Sequence, residues 1–310
     1  MLSRIAESLF WIGRYVERAD DTARILDVHL QSLSEDPWAS EDLTLRALLA
    51  VMDHPVPADG TLVTRARVMQ LLAHDQLDAS SIAGSMIAAR ENARRARETV
   101  SSELWETLNT TRNQVSGPMR LARPHDYFGW VRERAAIVAG IMDSSTSHDE
   151  TWLFVMLGRS IERADMTARL VQTQAQLRDS GPSWSTLLRA AGGYEAFLRT
   201  FRGVASDEKA AEFLLLDRLF PRSIVHALDA AEDCLRLLEP TADRRGVTND
   251  ARRELARMRA TLEYSPVGET LEVLPVAMED VQRCCSEASD AIKARYFPSA
   301  AATTWMGEAL

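Results

Sequence analysis

The sequence predicts an all-α, internally duplicated helical bundle, and three observations carry that prediction. Apolar residues recur at helical spacing along almost the whole chain. Stretches of β-branched alternation are few and short; the best, 61–63 and 271–274, both adjoin stronger helix signals. A helical segment near the N-terminus occurs a second time close to the middle of the chain.

Helices are expected at about 3–31, 41–52, 61–74, 79–113, 125–142, 149–178, 184–191, 206–218, 222–238, 249–263 and 270–296. Turn signals separate them: Glu35-Asp36-Pro37, His54-Pro55-Val56-Pro57, Ser116-Gly117-Pro118, Asp143-Ser144-Ser145, Ser180-Gly181-Pro182 and the polar stretch 241–248. The tail, 298–310, is rich in small residues and expected to be mobile. The chain thus reads as one domain over 1–310, with related halves at about 1–145 and 146–297.

At about 100° per residue, Ile5, Ile12, Val16, Ala19, Ala23, Leu26 and Leu30 of the first helix share one arc, which is a core stripe. Gly13, Arg14, Glu17, Asp20, Asp21 and Arg24 occupy the arc beside it. A glycine inside a helix costs about 1 kcal/mol relative to alanine. Close approach of another helix or of a ligand would account for Gly13.

The segment Gly13-Arg14-Tyr15-Val16-Glu17-Arg18-Ala19-Asp20-Asp21-Thr22-Ala23-Arg24-Ile25 returns as Gly158-Arg159-Ser160-Ile161-Glu162-Arg163-Ala164-Asp165-Met166-Thr167-Ala168-Arg169-Leu170, identical at nine of thirteen positions. The polar set Arg14, Glu17, Arg18, Asp20 and Arg24 is kept as Arg159, Glu162, Arg163, Asp165 and Arg169, whereas Asp21 becomes Met166. Two readings follow. The set forms a buried salt-bridge layer where the two repeat helices meet, fixing their register. Alternatively it lines a polar pocket, in which Glu17 and Glu162 act as acid/base groups and Arg24 and Arg169 clamp a carboxylate or phosphate. Arg14, Arg18, Asp20, Arg159, Arg163 and Asp165 would complete the binding surface. A weaker echo, Glu91 with Arg94 at i,i+3, adds a further candidate binding pair.

These residues resemble the bacterial alpha-E domain family, all-helical proteins with Glu-x-x-Arg-type motifs. The resemblance rests on the opening Leu2-Ser3-Arg4-Ile5-Ala6-Glu7-Ser8-Leu9-Phe10-Trp11-Ile12-Gly13-Arg14, on Ala89-Arg90-Glu91-Asn92-Ala93-Arg94 and on Leu104-Trp105-Glu106-Thr107-Leu108-Asn109. It continues through the second repeat copy, Leu216-Asp217-Arg218-Leu219-Phe220-Pro221-Arg222-Ser223 and Tyr296-Phe297. It implies a setting beside a circularly permuted ATP-grasp protein and a transglutaminase-like protein, in an amidoligase-type pathway that builds or modifies a peptide. Within it the chain is expected to be an accessory or scaffolding subunit whose Glu/Arg layer holds a partner segment or a peptide-like or amino-acid substrate. An enzyme in its own right and a purely structural, homo-oligomeric bundle are the alternatives.

Composition removes other classes. The 310 residues are 46% hydrophobic and 26% charged, too apolar for a disordered chain. A net charge of −9 argues against broad nucleic-acid binding. Apolar runs such as 153–157 are far shorter than the ~18 residues that span a bilayer, and Arg4 and Glu7 interrupt any leader-like opening, so a cytoplasmic protein is expected. None of the six histidines has Glu three residues before it, and Cys234, Cys284 and Cys285 lack zinc spacing, so neither metal nor cofactor is expected; the thiols read as buried apolar groups. Of the 36 basic residues only Lys209 and Lys293 are lysines. A genome that favours Arg codons is the plain reading of that skew and a need for guanidinium forks the functional one; composition alone does not choose between them.

Overall fold

The computed structural model describes residues 1–35, 40–58, 60–117, 123–177, 183–202, 206–239 and 246–298. Over these the chain forms α-helices and no strand. The first half contains α1 (Ser3–Glu35), α2 (Glu41–Val51), α3 (Arg65–Met69, continuing into a π-helical turn at Gln70–His74), α4 (Ile82–Arg95), α5 (Ser102–Gln114) and α6 (Pro124–Ser145). The second contains α7 (Glu150–Leu177), α8 (Trp184–Ala190), α9 (Tyr194–Phe201), α10 (Asp207–Leu216), α11 (Ile224–Leu238), α12 (Asp250–Tyr264), α13 (Val267–Glu272) and α14 (Leu274–Tyr296).

The two repeat-bearing helices, α1 and α7, pack on each other at the centre. Helices α4 and α6 lie against α1, with α5 touching both; α11 and α14 lie against α7, with α12 touching both. The order of packing is therefore the same in both halves. Because α1 is covered on several sides, Ile5, Leu9, Ile12, Ala19, Ala23 and Leu26 are buried, and so are Arg14, Glu17, Asp20 and Asp21. A helix enclosed in this way cannot keep a solvated polar face, so its charges must find partners inside the protein.

Most expected helices are present, with five corrections. The one expected at 270–296 is interrupted at Val273, between α13 and α14, where Pro275 sits in the first turn of the new helix. The single helix expected at 79–113 is two, because Ser101 caps a new start by accepting from the Leu104 amide, as Ser81 does from Gly84 in α4. The helix expected from 61 begins at Arg65, where Thr64 accepts from the Arg67 amide. The turn placed at Asp143-Ser144-Ser145 is the last turn of α6. No helix is expected over Tyr194–Phe201, where α9 forms; it is only eight residues long and follows Gly193, which offers no side-chain cap, so Glu195 in its first turn and Arg199 in its last are its main boundary signals. The turns at Asp36-Pro37 and Ser180-Gly181-Pro182, most of 241–248 and nearly all of the tail lie outside the described residues.

Gly13 and Gly158 explain the central contact. A Cβ on Gly13 would lie 2.0 Å from the Val155 carbonyl oxygen, and one on Gly158 would lie 2.0 Å from that of Phe10. The two contacts are reciprocal, each glycine meeting the carbonyl three residues before the other. Only the absence of a side chain lets the two backbones come this close.

Candidate functional site

The close approach brings the polar arcs of α1 and α7 together. On one side Glu162 accepts from Arg14 Nε at 2.5 Å, from Arg18 Nε at 2.5 Å and from Arg18 Nη2 at 3.1 Å. Arg14 also donates to Ser289 Oγ of α14 at 2.8 Å. Glu162 is 0% exposed. Burial alone would raise its pKa, but Arg14 and Arg18 hold it down at about 2.

On the other side Glu17 accepts from Arg163 Nε at 2.7 Å and from Arg222 Nη2 at 2.6 Å. Burial is again outweighed, here by Arg222 and Arg163, and its pKa is also about 2. Arg222 reaches Asp20 Oδ2 at 2.5 Å and lies 3.3 Å from Asp21 Oδ1. Asp21 behaves differently: burial, with Glu17 and Asp20 nearby, outweighs Arg222 and lifts its pKa to about 8. Asp21 is then mostly neutral at pH 7, which matches the uncharged Met166 at its counterpart position.

Arg24 donates to Asp20 at 3.2 Å and Arg169 to Asp165 at 3.0 Å, the same i,i+4 pair in each helix. The structure thus gathers Arg14, Glu17, Arg18, Asp20, Arg24, Arg159, Glu162, Arg163, Asp165 and Arg169 around one helix contact. It does not bring in Glu91 and Arg94, which bond to each other on the outer side of α4, with 61% of the Arg94 side chain exposed.

Arg222 belongs to the layer although its position was not singled out as a site residue. A sequence signal for it exists. Asp75-Gln76-Leu77-Asp78-Ala79-Ser80-Ser81 and Asp217-Arg218-Leu219-Phe220-Pro221-Arg222-Ser223 share Asp, Leu and Ser at the same spacing. In both, the Leu amide donates to the Asp side chain at 2.9 Å and the Ser hydroxyl donates to the Asp carbonyl before capping α4 or α11. The residue just before the cap is Ser80 in one loop and Arg222 in the other.

That difference changes the role of Arg159. Its counterpart Arg14 bonds Glu162, but Arg222 has taken the corresponding place on Glu17. Arg159 makes no hydrogen bond or contact ion pair with a described residue, and feels Glu17 and Asp143 only at longer range. Burial, then repulsion from Arg163, lowers its pKa. It faces a cleft of about 310 Å³ between α1, α6, α7 and the loop before α11. Arg24, Arg132, Arg163 and Arg222 also line this cleft, against only Glu17 and Asp20 among acids, and Ala135, Val138, Ala139 and Met142 of α6 form an apolar wall. A separate pocket of about 350 Å³ on the Glu162 side is lined by Arg18, Asp53, His54, Asp78, Asp165 and Arg169.

Glu17, Asp20 and Asp21 lie close enough together to ligate a metal ion. The Arg222 guanidinium, however, already occupies that place as the cation of Glu17 and Asp20, and lies 3.3 Å from Asp21. The three cysteines are buried, and burial pushes the Cys234 and Cys284 thiols up to about 12, so they are packing groups rather than nucleophiles at neutral pH. No described helix is long and apolar enough to cross a membrane.

A helical bundle centred on two glycine-packed helices and clamped by arginine–carboxylate pairs defines the class of protein. The chain belongs to the Alpha-E family, described as a predicted alpha-helical domain with a conserved ER motif, whose model matches residues 1–297. Each repeat copy contains that dipeptide, as Glu17-Arg18 and Glu162-Arg163. Among its relatives are uncharacterized proteins of Mycobacterium bovis and Mycobacterium tuberculosis, 25% identical over 253 residues. The match covers 73% of this chain but 29% of those relatives, so the chain spans under a third of their length. No solved structure matches.

Proposed function

We propose that this chain is an accessory binding subunit of an ATP-grasp amidoligase-linked pathway of peptide synthesis or modification, built as an internally duplicated bundle and working in the cytoplasm. The layer is its fixed frame. The cleft at Arg159 is where it holds a partner segment or a peptide-like substrate. The observation that carries this reading is the contrast between a buried Glu162, saturated by two arginines, and an Arg159 that faces a cleft with no contact partner among the described residues. The length of the mycobacterial relatives adds support, because there a region like this one sits beside much additional chain.

The acid/base alternative has less support. Glu17 and Glu162 are held ionised far below neutral pH, and a general base works best with a pKa near the operating pH. Arg24 and Arg169 are each tied to an aspartate of their own helix. Reconstitution tests the proposal: the purified chain alone is expected to turn over no ATP and form no amide, and to raise amide formation when mixed with an ATP-grasp protein and a transglutaminase-like protein of the same genome. Amide formation or hydrolysis by the chain alone would favour the enzyme. Absence of both complex and stimulation would remove the accessory role.

A further inference from the structure

We propose that the cleft beside Arg159 recognises a small zwitterion, an α-amino acid with an aliphatic side chain, with its carboxylate on Arg159 and its ammonium on Asp20. This rests on the reading of the cleft as a binding site and names the ligand it takes. Three independent features converge there. Arg159 presents a guanidinium fork with no hydrogen bond or contact ion pair to a described residue, a shape that suits a carboxylate. Asp20 lines the same cleft with half its carboxylate committed: Oδ2 takes Arg24 and Arg222, while Oδ1 is buried with no hydrogen-bond partner. A buried orphan acceptor is costly unless something donates to it. Ala135, Val138, Ala139 and Met142 supply an apolar wall.

Size and charge narrow the choice. A volume of about 310 Å³ is at the small end of ligand clefts, which fits an amino acid better than a long peptide. The remaining arginines of the cleft already face carboxylates: Arg163 and Arg222 bond Glu17, Arg24 bonds Asp20 and Arg132 reaches Asp27. One uncompensated guanidinium matches one negative charge, and a dianionic phosphate would be repelled by Glu17 and Asp20. The pocket on the Glu162 side lacks this combination, since its arginines Arg18 and Arg169 are both paired.

The test is calorimetric titration of the full chain with L-leucine, with 4-methylpentanoate (no ammonium), with 3-methylbutylamine (no carboxylate) and with inorganic phosphate. L-leucine is expected to bind saturably and at least tenfold tighter than each of the other three, and Arg159→Gln should abolish its binding. Arg159 makes no contact pair, so that variant should keep the thermal midpoint of the wild type. Equal binding of 4-methylpentanoate, preference for phosphate, no saturable binding of L-leucine, or unchanged binding by Arg159→Gln would each overturn the proposal. Complex formation with the ATP-grasp protein, measured on the same preparations, separates the two ideas: a complex without amino-acid binding rejects the ligand and leaves the accessory role standing.

Discussion

The Glu162 and Glu17 sides of the central contact use the same motif and end in different chemistry. Glu162 is held by Arg14 and Arg18, both from α1. Glu17 is held by Arg163 from α7 and by Arg222 from the loop before α11. The outside arginine displaces the repeat's own Arg159 into a cleft. Identical polar residues thus make a closed clamp on one side and a clamp with a spare cation on the other. What a buried ion-pair motif does depends on the third element that closes over it.

The largest expected effect is on the contact that both sides share. Gly13→Ala or Gly158→Ala places a methyl 2.0 Å from a backbone carbonyl, which no side-chain rotation relieves. Each should cost about 3 kcal/mol or more, read by denaturant unfolding, since overpacking a tight core forces the backbone to move. A fully stable Gly13→Ala variant would mean that the helices do not meet as described.

The next two substitutions set one side against the other. Glu162→Gln leaves Arg14 and Arg18 without their carboxylate, though with an amide oxygen still to accept from one of them, and should cost about 3 kcal/mol. Glu17→Gln should cost less, about 2 kcal/mol, because Arg222 keeps Asp20 and Asp21 and only Arg163 is stranded. Equal losses, measured in parallel, would erase the asymmetry.

Acidity gives a smaller and graded effect. Glu17 and Glu162 have folded pKa values near 2 against an ordinary value of 4.5. Their contribution is therefore complete above about pH 4.5 and is lost as pH falls from there towards 2. Asp21 has the opposite sign. Its folded pKa is raised from 3.8 to about 8, so its contribution is complete below about pH 4 and declines as pH rises to 8. Unfolding midpoints across pH 3–9 should show both limbs. Asp21→Asn should remove only the upper one.

The smallest change is expected near pH 4, below the window in which Asp21 costs stability, where Asp21→Asn should alter stability by no more than about 1 kcal/mol. At pH 7 the same variant should be more stable than the wild type, because it escapes the cost of keeping Asp21 protonated in the fold. An already protonated aspartic acid and an amide are similar in size and charge, and the other half tolerates Met166 at this position. A loss comparable with that of Glu162→Gln would show that Asp21 is charged and needed as the partner of Arg222.

Much of the fold was legible because helix formation and burial are local or periodic properties. The core stripe of α1 follows from 3.6-residue spacing, and the glycine at 13 already called for the close approach of a helix or a ligand. The break near Ser101 was less visible, since one serine in a run of good helix formers is a weak signal until its side chain caps the Leu104 amide. In the layer, the arginines and carboxylates were recognisable by their retention in both copies. Their pairing was legible only in part: spacing within one helix offers Asp20–Arg24 at i,i+4 and Arg14–Glu17 at i,i+3, and only the first forms, because Arg14 bonds Glu162 across the helix contact and Glu17 takes Arg163 and Arg222.

The sequence by itself determined the helical class, the two-copy motif and the stock of charged groups enclosed at its centre. Only the tertiary structure decided which arginine each glutamate took. That choice is set by distances between segments far apart in the chain, as with Arg222 and Glu17. Coulomb energy and desolvation change steeply over a few ångströms, so neither composition nor spacing could reveal that Arg159 would be the cation left facing the cleft.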